Sequence, residues 1–249
     1  MRLITIPMSH YCEKARWGLA HAGVDYVEEA HLQVFHYAAI RGHNKTGMVP
    51  VLVTDNGAIS DSTAILQFLD QRLTPSRKLY PDSQRIAIEA LEEQLDAHFG
   101  VETRRWVYFH WMKLSRQEVM RTAAQGTPAW ERALAPLLFP MMRRYLSQHL
   151  LISSENVARG MRAIHATFDG VAEKLRDGRP FLFGDSFTAA DLTFASLAAP
   201  ILLPPEYGIR LPTMDEAPAQ AREDIRRFRE HPAGRFALML FANHRKRRQ

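Results

Sequence analysis

Cysteine is almost absent from this sequence: among 249 residues there is one, Cys12. A single thiol excludes an internal disulfide framework and a cysteine-rich metal site, and it is typical of a reducing compartment. The first residues carry no long apolar segment either, because Pro7 falls early within them. This pattern predicts no signal peptide, and we therefore expect a cytoplasmic protein.

Long apolar runs and common ligand motifs are missing as well. The most apolar stretches, residues 134–142 and 194–203, are short and contain prolines, so we predict no membrane span. Eleven histidines are present, but none belongs to a His-Glu-x-x-His motif, and no Gly-x-Gly-x-x-Gly sequence occurs. The sequence therefore predicts neither a metal site nor a phosphate-binding loop.

Positive charge is present only in moderate excess. The net charge is +5, and part of it lies in a basic tail at residues 244–248. Arg104 and Arg105 precede an aromatic cluster at residues 106–111, a combination that can stack on nucleic-acid bases. A solvated chain end and ordinary helix packing explain both features more simply. We therefore predict no nucleic-acid partner.

What the sequence does contain is an ordered N-terminal pattern. The apolar, β-branched run 3–6 predicts a buried strand, which Pro7 ends. Ser9 is a suitable N-cap for a helix that continues to Gly23, a residue type that commonly follows the last helical turn. Ser9 and Cys12 are therefore expected at a helix N-terminus, where free N–H groups and the helix dipole stabilise a thiolate or another anion.

Residues 1–75 are predicted to form a small α/β domain. A strand and a short helix follow the first helix, and residues 49–60 then form a β-hairpin whose turn is Asn56-Gly57. Asp61 caps the helix that comes next, which has one apolar face. The predicted order of elements is β-α-β-α-β-β-α.

Strand patterns nearly vanish after a polar, proline-containing segment, and we place a linker at residues 76–83. Residues 84–249 are predicted to form an all-helical domain. The periodicity of apolar residues predicts its helices at 83–112, 130–150, 154–176, 189–199, 219–229 and 234–242. Residues 200–218 hold five prolines and are expected to be largely irregular, either covering a cleft or forming a surface loop.

Three local sequences have both a structural and a functional interpretation. A cis bond before Pro50 would free the backbone of Val49 for an extended peptide, although most X-Pro bonds are trans. Ser62 at a helix start would bind a carboxylate, and the Asp61 carboxylate an ammonium, but helix capping alone also explains this pair. We interpret the capping box at residues 188–191 as structural.

These motifs follow one another in a specific order. Ser-x-x-Cys at residues 9–12 precedes Val-Pro at 49–50, Asp-Ser at 61–62 and, in the helical part, Phe-Thr-Ala-Ala-Asp at 187–191. In this order the chain resembles the cytosolic glutathione S-transferases over nearly its whole length. The resemblance implies a thioredoxin-like N-terminal domain that binds glutathione, a glutathione-transferase-type all-helical C-terminal domain, and a homodimer.

The resemblance also implies roles for single residues. Val49 would pair backbone to backbone with the cysteinyl part of glutathione beside a cis Pro50. Asp61 and Ser62 would hold the γ-glutamyl end. Ser9 takes the position that faces the glutathione sulfur.

Two positions depart from the family pattern. Met48, within the implied glutathione site, stands where the family often carries a lysine, and Lys45 lies three residues earlier. One glutathione contact would then be missing, or it would come from His36 or Arg41. His10 replaces a proline that commonly follows the first position of the pair. Both departures bear on how glutathione would be held.

The expected chemistry is conjugation of glutathione to a small hydrophobic electrophile, a detoxification reaction. The Ser9 hydroxyl and the helix end would favour the glutathione thiolate, which is the nucleophile. The electrophile would lie beside it against the helical domain. By position, its site takes in Tyr11, Arg105, Trp106 and Tyr108.

Two other functions stay open at this point. Cys12 could carry a glutathione-dependent thiol transfer or reduction through mixed disulfides. The chain could also be a non-catalytic, glutathione-transferase-like binding module.

Overall fold

The computed structural model describes residues 1–44 and 46–245. Lys45 and residues 246–249, which hold most of the basic tail, lie outside the described residues. Within them the N-terminal part contains four strands: β1 (Arg2–Thr5), β2 (Val27–Ala30), β3 (Val51–Thr54) and β4 (Gly57–Ser60). Its helices are α1 (His10–Ala22), α2 (His36–Ala39) and α3 (Ser62–Asp70).

The predicted order β-α-β-α-β-β-α is confirmed. The strands form one mixed sheet in the order β2-β1-β3-β4, in which β1 and β2 are parallel and the other pairs antiparallel. The β3–β4 turn is formed by Asp55 and Asn56, one residue earlier than predicted, and Gly57 follows as the first residue of β4 at φ 124°, a conformation that L side chains rarely adopt. α1 is followed by Gly23 in the left-handed region, as predicted.

The sheet is covered on both faces because successive residues of β1 point to opposite sides. Leu3 packs with Leu19 of α1 and Ile65 of α3 on one side. Ile4 packs with Ile40, just beyond α2, on the other. β1 is therefore a central, buried strand, and the turn after it is held in place between α1 and the sheet.

The rest of the described chain is helical. Its segments are α4 (Arg85–Gln94), a π-helical stretch (Leu95–Phe99), α5 (Gly100–Trp111), α6 (Arg116–Ala123), α7 (Ala129–His149), α8 (Ser154–Lys174), α9 (Ala189–Leu202), α10 (Ala219–Glu230) and α11 (Pro232–His244). All 14 residues of α9 are buried, and α4, α5, α10 and α11 of the helical part pack against it. The predicted pairing of an α/β domain with an all-helical domain is confirmed.

Three details differ from the sequence-based expectation. α6 was not predicted, although Ser115 and Glu118 form the reciprocal bonds of a capping box at its start. α9 continues through Pro200, so the irregular segment begins only after Leu202. The helix predicted at 83–112 contains the π-helical stretch, in which the backbone bonds shift register.

α1 joins the two parts of the molecule. It packs on α3 in its own domain and on α9 in the helical one. At the far end of the chain, the Trp17 Nε1–H donates to the carbonyl of His244 at 3.1 Å, and Arg245 Nε donates to Glu13 Oε1 at 2.6 Å. None of the helices in the described part of the chain is long and apolar enough to cross a membrane.

Candidate active site

The turn between β1 and α1 presents a hydroxyl at a helix N-terminus. Ser9 is the N-cap of α1 at φ −70°, ψ 120°, and its Oγ accepts a hydrogen bond from the Cys12 N–H at 3.3 Å. The N–H groups of His10 and Tyr11, in the first helical turn, have no carbonyl four residues earlier within the helix. Because Ser9 Oγ already accepts a bond, its own hydrogen can be donated to a ligand. Ser9 is half-buried and reachable.

Cys12 lies in the same turn but points inward. Its side chain is fully buried. Burial raises the pKa of the Cys12 thiol, and the opposing effects of Arg16 and Ser9 do not cancel this rise. The thiol is therefore protonated at neutral pH and shielded from a substrate, which is unfavourable for a nucleophile.

His10 connects α1 to α5. Its Nε2–H donates to the carbonyl of Gly100 at 3.0 Å, and the ring is 2% exposed. Burial and the charge of Arg104 lower the pKa of His10 to about 3. The imidazole is therefore neutral and structural.

Tyr11 makes a parallel connection. Its hydroxyl donates to the carbonyl of Asp96 at 2.8 Å. Burial raises the pKa of Tyr11, so the phenol stays protonated. The first turn of α1 is thus fixed against the helix that runs from α4 into α5.

The next predicted element of the site is the segment before β3. The Val49–Pro50 peptide bond is cis. The backbone N–H and C=O of Val49 make no backbone hydrogen bond within the described residues. Met48, beside it, is 64% exposed. An extended peptide could pair with Val49 here as an added strand.

Asp61 begins α3 in an unusual conformation. Its φ is 84°, a value rare for residues other than glycine, and such strain often marks a functional position. Its Oδ1 caps the helix by accepting from Thr63 N at 2.8 Å and Ala64 N at 3.1 Å, as predicted. The residue itself is exposed, whereas Ser62 is 2% exposed. One carboxylate oxygen is thus engaged in capping, on a side chain that a ligand can reach.

The loop between α2 and β3 is held by a hydrogen bond. His36 Nε2–H donates to the carbonyl of Gly47 at 3.2 Å, and burial lowers the pKa of His36. His36, one of the side chains considered for the missing lysine contact, is therefore neutral. Arg41 is exposed. Lys45 lies outside the described residues.

An apolar pocket lies next to the Ser9 turn. Its volume is about 610 Å³ when the solvent-filled space at its opening is included. Two of its walls come from the N-terminal domain and three from α5, α6 and α7. Its lining residues are Ile6, Met8, Leu32, Gln33, Tyr108, Trp111, Met112, Val119, Met120, Ala123, Phe139, Met142, Arg143 and Leu146. Since Met8 directly precedes Ser9, the hydroxyl and the pocket are adjacent.

The proline-rich segment after α9 supports this turn from the outside. The Tyr207 hydroxyl donates to the carbonyl of Met8 at 3.1 Å, and the Gly208 N–H donates to Glu13 Oε2 at 3.0 Å. Tyr207 is 3% exposed. The segment therefore packs against the turn before Ser9.

Two family models match the sequence. The model described as "Glutathione S-transferase, N-terminal domain" matches residues 3–77, and "Glutathione S-transferase, C-terminal domain" matches residues 154–234. The chain belongs to the glutathione S-transferase family. Residues 78–153, which hold the pocket-lining helices α5, α6 and α7, lie between the two matches. A search of curated proteins found no match.

Solved glutathione S-transferase structures share the fold over almost the whole chain. The enzyme GSTFuA3 from Phanerochaete chrysosporium is 19% identical, with a TM-score of 0.66 and coverage of 100% of this chain and 98% of that one. A glutathione S-transferase from Rhodospirillum rubrum F11 is 23% identical, with a TM-score of 0.59 and 98% of each chain covered. One from Methylobacillus flagellatus KT, solved with glutathione bound, is 20% identical, with a TM-score of 0.55 and coverage of 95% and 98%.

The glutathione S-transferase fold brings together some of the residues predicted for the electrophile site and separates others. Tyr108 lines the pocket. Arg105 faces elsewhere: it pairs with Glu102 and donates from Nε to the carbonyl of Leu150 at 3.0 Å. Trp106 is 3% exposed and packs in the helical core. Sequence position alone did not show which face of α5 meets the turn.

Other lining residues were missed. Met8 directly precedes the predicted N-cap, but no periodic pattern in the turn marks it as a lining residue. Phe139, Met142 and Leu146 recur at the spacing of one helix face, and this signal was present in the sequence. No three His, Cys, Asp or Glu side chains within residues 1–44 and 46–245 converge as metal ligands.

A buried charge cluster behind Asp61 was also missed. Lys14 Nζ lies 2.9 Å from Glu92 Oε1, 2.6 Å from Asp96 Oδ2 and 2.8 Å from Thr63 Oγ1. Burial alone would lower the pKa of Lys14, but the two carboxylates outweigh it and the pKa is raised. The ammonium is therefore charged and fixes α1, α3 and α4 to one another.

Proposed function

We propose that this protein conjugates the thiolate of glutathione to a small hydrophobic electrophile. The observation that carries the proposal is the adjacency of the half-buried Ser9 hydroxyl, at the N-terminus of α1, to the apolar pocket that begins at Met8. A nucleophile bound at Ser9 would face an electrophile in that pocket. Family membership supplies glutathione as the source of the thiol.

Glutathione would lie across the cleft from β3 to α3. The backbone of Val49, which makes no backbone hydrogen bond to another described residue, would bond the cysteinyl residue, with cis Pro50 and the exposed Met48 flanking it. The buried Ser62 and the N–H groups at the start of α3 would take the γ-glutamyl carboxylate, and Asp61 its ammonium. Arg41 is the exposed cation of the described loop and is proposed to reach the glycyl carboxylate.

Ser9 would act on the sulfur. Its hydroxyl donates a hydrogen bond to the thiolate while its oxygen continues to accept from the Cys12 N–H. The N–H groups of the first turn and the positive end of the helix add to this stabilisation. The bound thiol would therefore have a lower pKa than free glutathione and would be ionised at neutral pH.

The alternative that uses Cys12 has less support. A thiol transferase needs a cysteine that a disulfide can reach, and Cys12 is fully buried with its pKa raised. A non-catalytic binding module is the remaining alternative, and the experiments below separate it from a transferase. A cytoplasmic homodimer remains the family-based prediction. Sedimentation of the purified protein would test whether it is a dimer.

The first test is calorimetric titration of glutathione. Wild type should bind, and Asp61→Asn, which keeps a capping oxygen but removes the charge, should bind at least tenfold more weakly. Asp82→Asn is the matched control, because Asp82 is fully exposed and lies in the linker. An absence of binding in wild type would overturn the proposal.

The second test addresses Ser9. Ser9→Ala should lower kcat/KM toward a neutral aryl halide about a hundredfold, the usual cost of losing one donor to a developing or resident anion. The ultraviolet absorbance of bound thiolate should fall at neutral pH and return at higher pH. Cys12→Ala should leave both readouts unchanged, and the reverse pattern would favour the thiol-transferase alternative. Glutathione binding without any turnover would favour the binding module.

A further inference from the structure

Arg104 lies beside the candidate active site and has no hydrogen-bond or ion-pair partner among the described residues. It lies on α5 and is half-buried, with its guanidinium carbon 5.9 Å from the centre of the Tyr11 ring. Its Nε is buried and makes no hydrogen bond, and no ion pair involves it within the described residues. A buried charged donor without an acceptor is unfavourable, so the position is suited to a ligand that supplies one.

The helix places Arg104 between Gly100, which bonds to the first turn of α1, and Tyr108, which lines the pocket. Asp96, Gly100, Arg104 and Tyr108 recur every four residues, so they share the face that meets the start of α1. Asp96 and Gly100 accept from that first turn, and Tyr108 lines the pocket. At 1.5 Å rise per residue, Arg104 lies about 6 Å along the axis from Tyr108.

The electrostatic surroundings agree with this placement. Burial is the main influence on the pKa values of His10, Tyr11 and Tyr108, and the nearby charge of Arg104 acts to lower all three. No carboxylate occurs among the described residues that line the pocket, and their one ionised side chain is Arg143. The pocket is thus apolar, with Arg143 in its lining and Arg104 about one helical turn from the lining residue Tyr108.

We propose that the second substrate is an apolar electrophile with a carboxylate or a similar anionic group, and that Arg104 binds this group. The inference rests on the proposed function and specifies its substrate class. A guanidinium matches a carboxylate with two parallel hydrogen bonds, and the partly desolvated position strengthens them. The apolar body of the substrate would fill the pocket beyond Tyr108.

A suitable probe is 4-chloro-3-nitrobenzoate, with 4-chloro-3-nitrobenzamide as its neutral counterpart. The thiolate sulfur forms a bond to the ring carbon that bears chlorine. The carbon–chlorine bond then breaks, chloride leaves with the electron pair, and the thiol proton passes to solvent. The two products, a carboxylate and an amide conjugate of glutathione, serve as ligands that do not require turnover.

The test is calorimetric binding of glutathione and of both conjugates to wild type, Arg104→Gln, Arg104→Lys and Arg162→Gln. Arg162 is an exposed residue of α8 that contacts its own helix, so its variant controls for the loss of one charge. Wild type should bind the carboxylate conjugate at least tenfold more tightly than the amide conjugate. Arg104→Gln should lose this preference, Arg104→Lys should retain part of it, and Arg162→Gln all of it.

The contrary outcomes are distinct from one another. Glutathione binding with no preference between the conjugates in wild type overturns the inference and leaves the proposed function intact. Equal weakening of glutathione and both conjugates in Arg104→Gln also overturns it, because Arg104 would then contact glutathione itself. Failure of wild type to bind glutathione overturns both proposals.

Discussion

Two cations lie at the contact between α1 and the helix formed by α4 and α5, and they differ in their hydrogen-bond partners. Lys14 is fully buried and meets two carboxylates and a hydroxyl within hydrogen-bond distance. Arg104, about two turns beyond Asp96 on the same face, meets an aromatic ring and no acceptor within residues 1–44 and 46–245. A buried cation such as Lys14, which has all of its hydrogen-bond partners, stabilises the fold. A charge in a cleft whose partners are missing is a candidate for binding a ligand.

The largest effect should come from breaking the complete cluster. Lys14→Met leaves Glu92 and Asp96 without their cation, so we expect the free energy of unfolding to fall by about 3–5 kcal/mol. Urea unfolding followed by circular dichroism measures this change. A loss below about 1 kcal/mol would contradict a structural role for Lys14.

A second substitution sharpens the interpretation of Lys14. In Lys14→Met/Glu92→Gln one of the two stranded carboxylates is removed, while the amide oxygen still accepts from the Tyr80 hydroxyl. The double variant should therefore be more stable than Lys14→Met alone. Additive losses would mean that the two side chains act independently.

Asp191 shows a third way in which a buried charge is met, by neutral donors alone. Its carboxylate accepts from Leu182 N at 2.8 Å, Thr188 N at 2.8 Å and Thr188 Oγ1 at 2.7 Å. Asp191→Ala removes these acceptors at the start of α9 and should cost about 2 kcal/mol of unfolding free energy. Asp191→Asn keeps one acceptor oxygen and should cost less. Equal losses in the two variants would show that the hydrogen bonds are not the cause.

The N-terminal fold could be predicted because its signals are local. An N-cap at Ser9, a hairpin turn next to Gly57 and a second cap at Asp61 each act within four residues, and all were found in the structure, the turn one residue earlier than predicted. The α6 helix carried an equally local signal, the box of Ser115 and Glu118, and was overlooked.

The site could be predicted only in part because it depends on contacts distant in sequence. Lys14 meets Asp96 across 82 residues, and His31 meets Glu131 across 100. The faces of α5, α6 and α7 that line the pocket are fixed by such contacts. A pattern within one helix shows that a face is apolar, but not what covers it.

A smaller effect on stability is expected at His31, which contacts one carboxylate from each domain. His31 Nε2 lies 3.0 Å from Glu29 Oε1, and its Nδ1 lies 2.5 Å from Glu131 Oε1 at the start of α7. Burial acts to lower the pKa of His31, but the two carboxylates outweigh it and the pKa is raised. The charged pair is therefore fully present below about pH 6.5 and is lost as pH rises through the higher folded value.

The free energy of unfolding should thus fall, by about 1 kcal/mol at most from this source, as the pH rises above about 6.5 and through the folded value. Urea unfolding at a series of pH values measures it. His31→Gln should flatten this part of the profile, while His21→Gln, a change at a residue whose pKa is lowered by burial, should not. A profile that is unchanged by His31→Gln would place the dependence elsewhere.

The smallest change in stability should come from Arg104, and this completes the comparison with Lys14. Arg104→Met removes a charge that has no acceptor among the described residues and keeps an unbranched apolar side chain over Tyr11, so the free energy of unfolding should change by less than about 1 kcal/mol. The same urea unfolding measures it beside Lys14→Met. A loss as large as that of Lys14→Met would mean that Arg104 also has a structural partner. A near-neutral result, together with loss of preference for an anionic electrophile, would show that its charge is retained for a ligand and not for the fold.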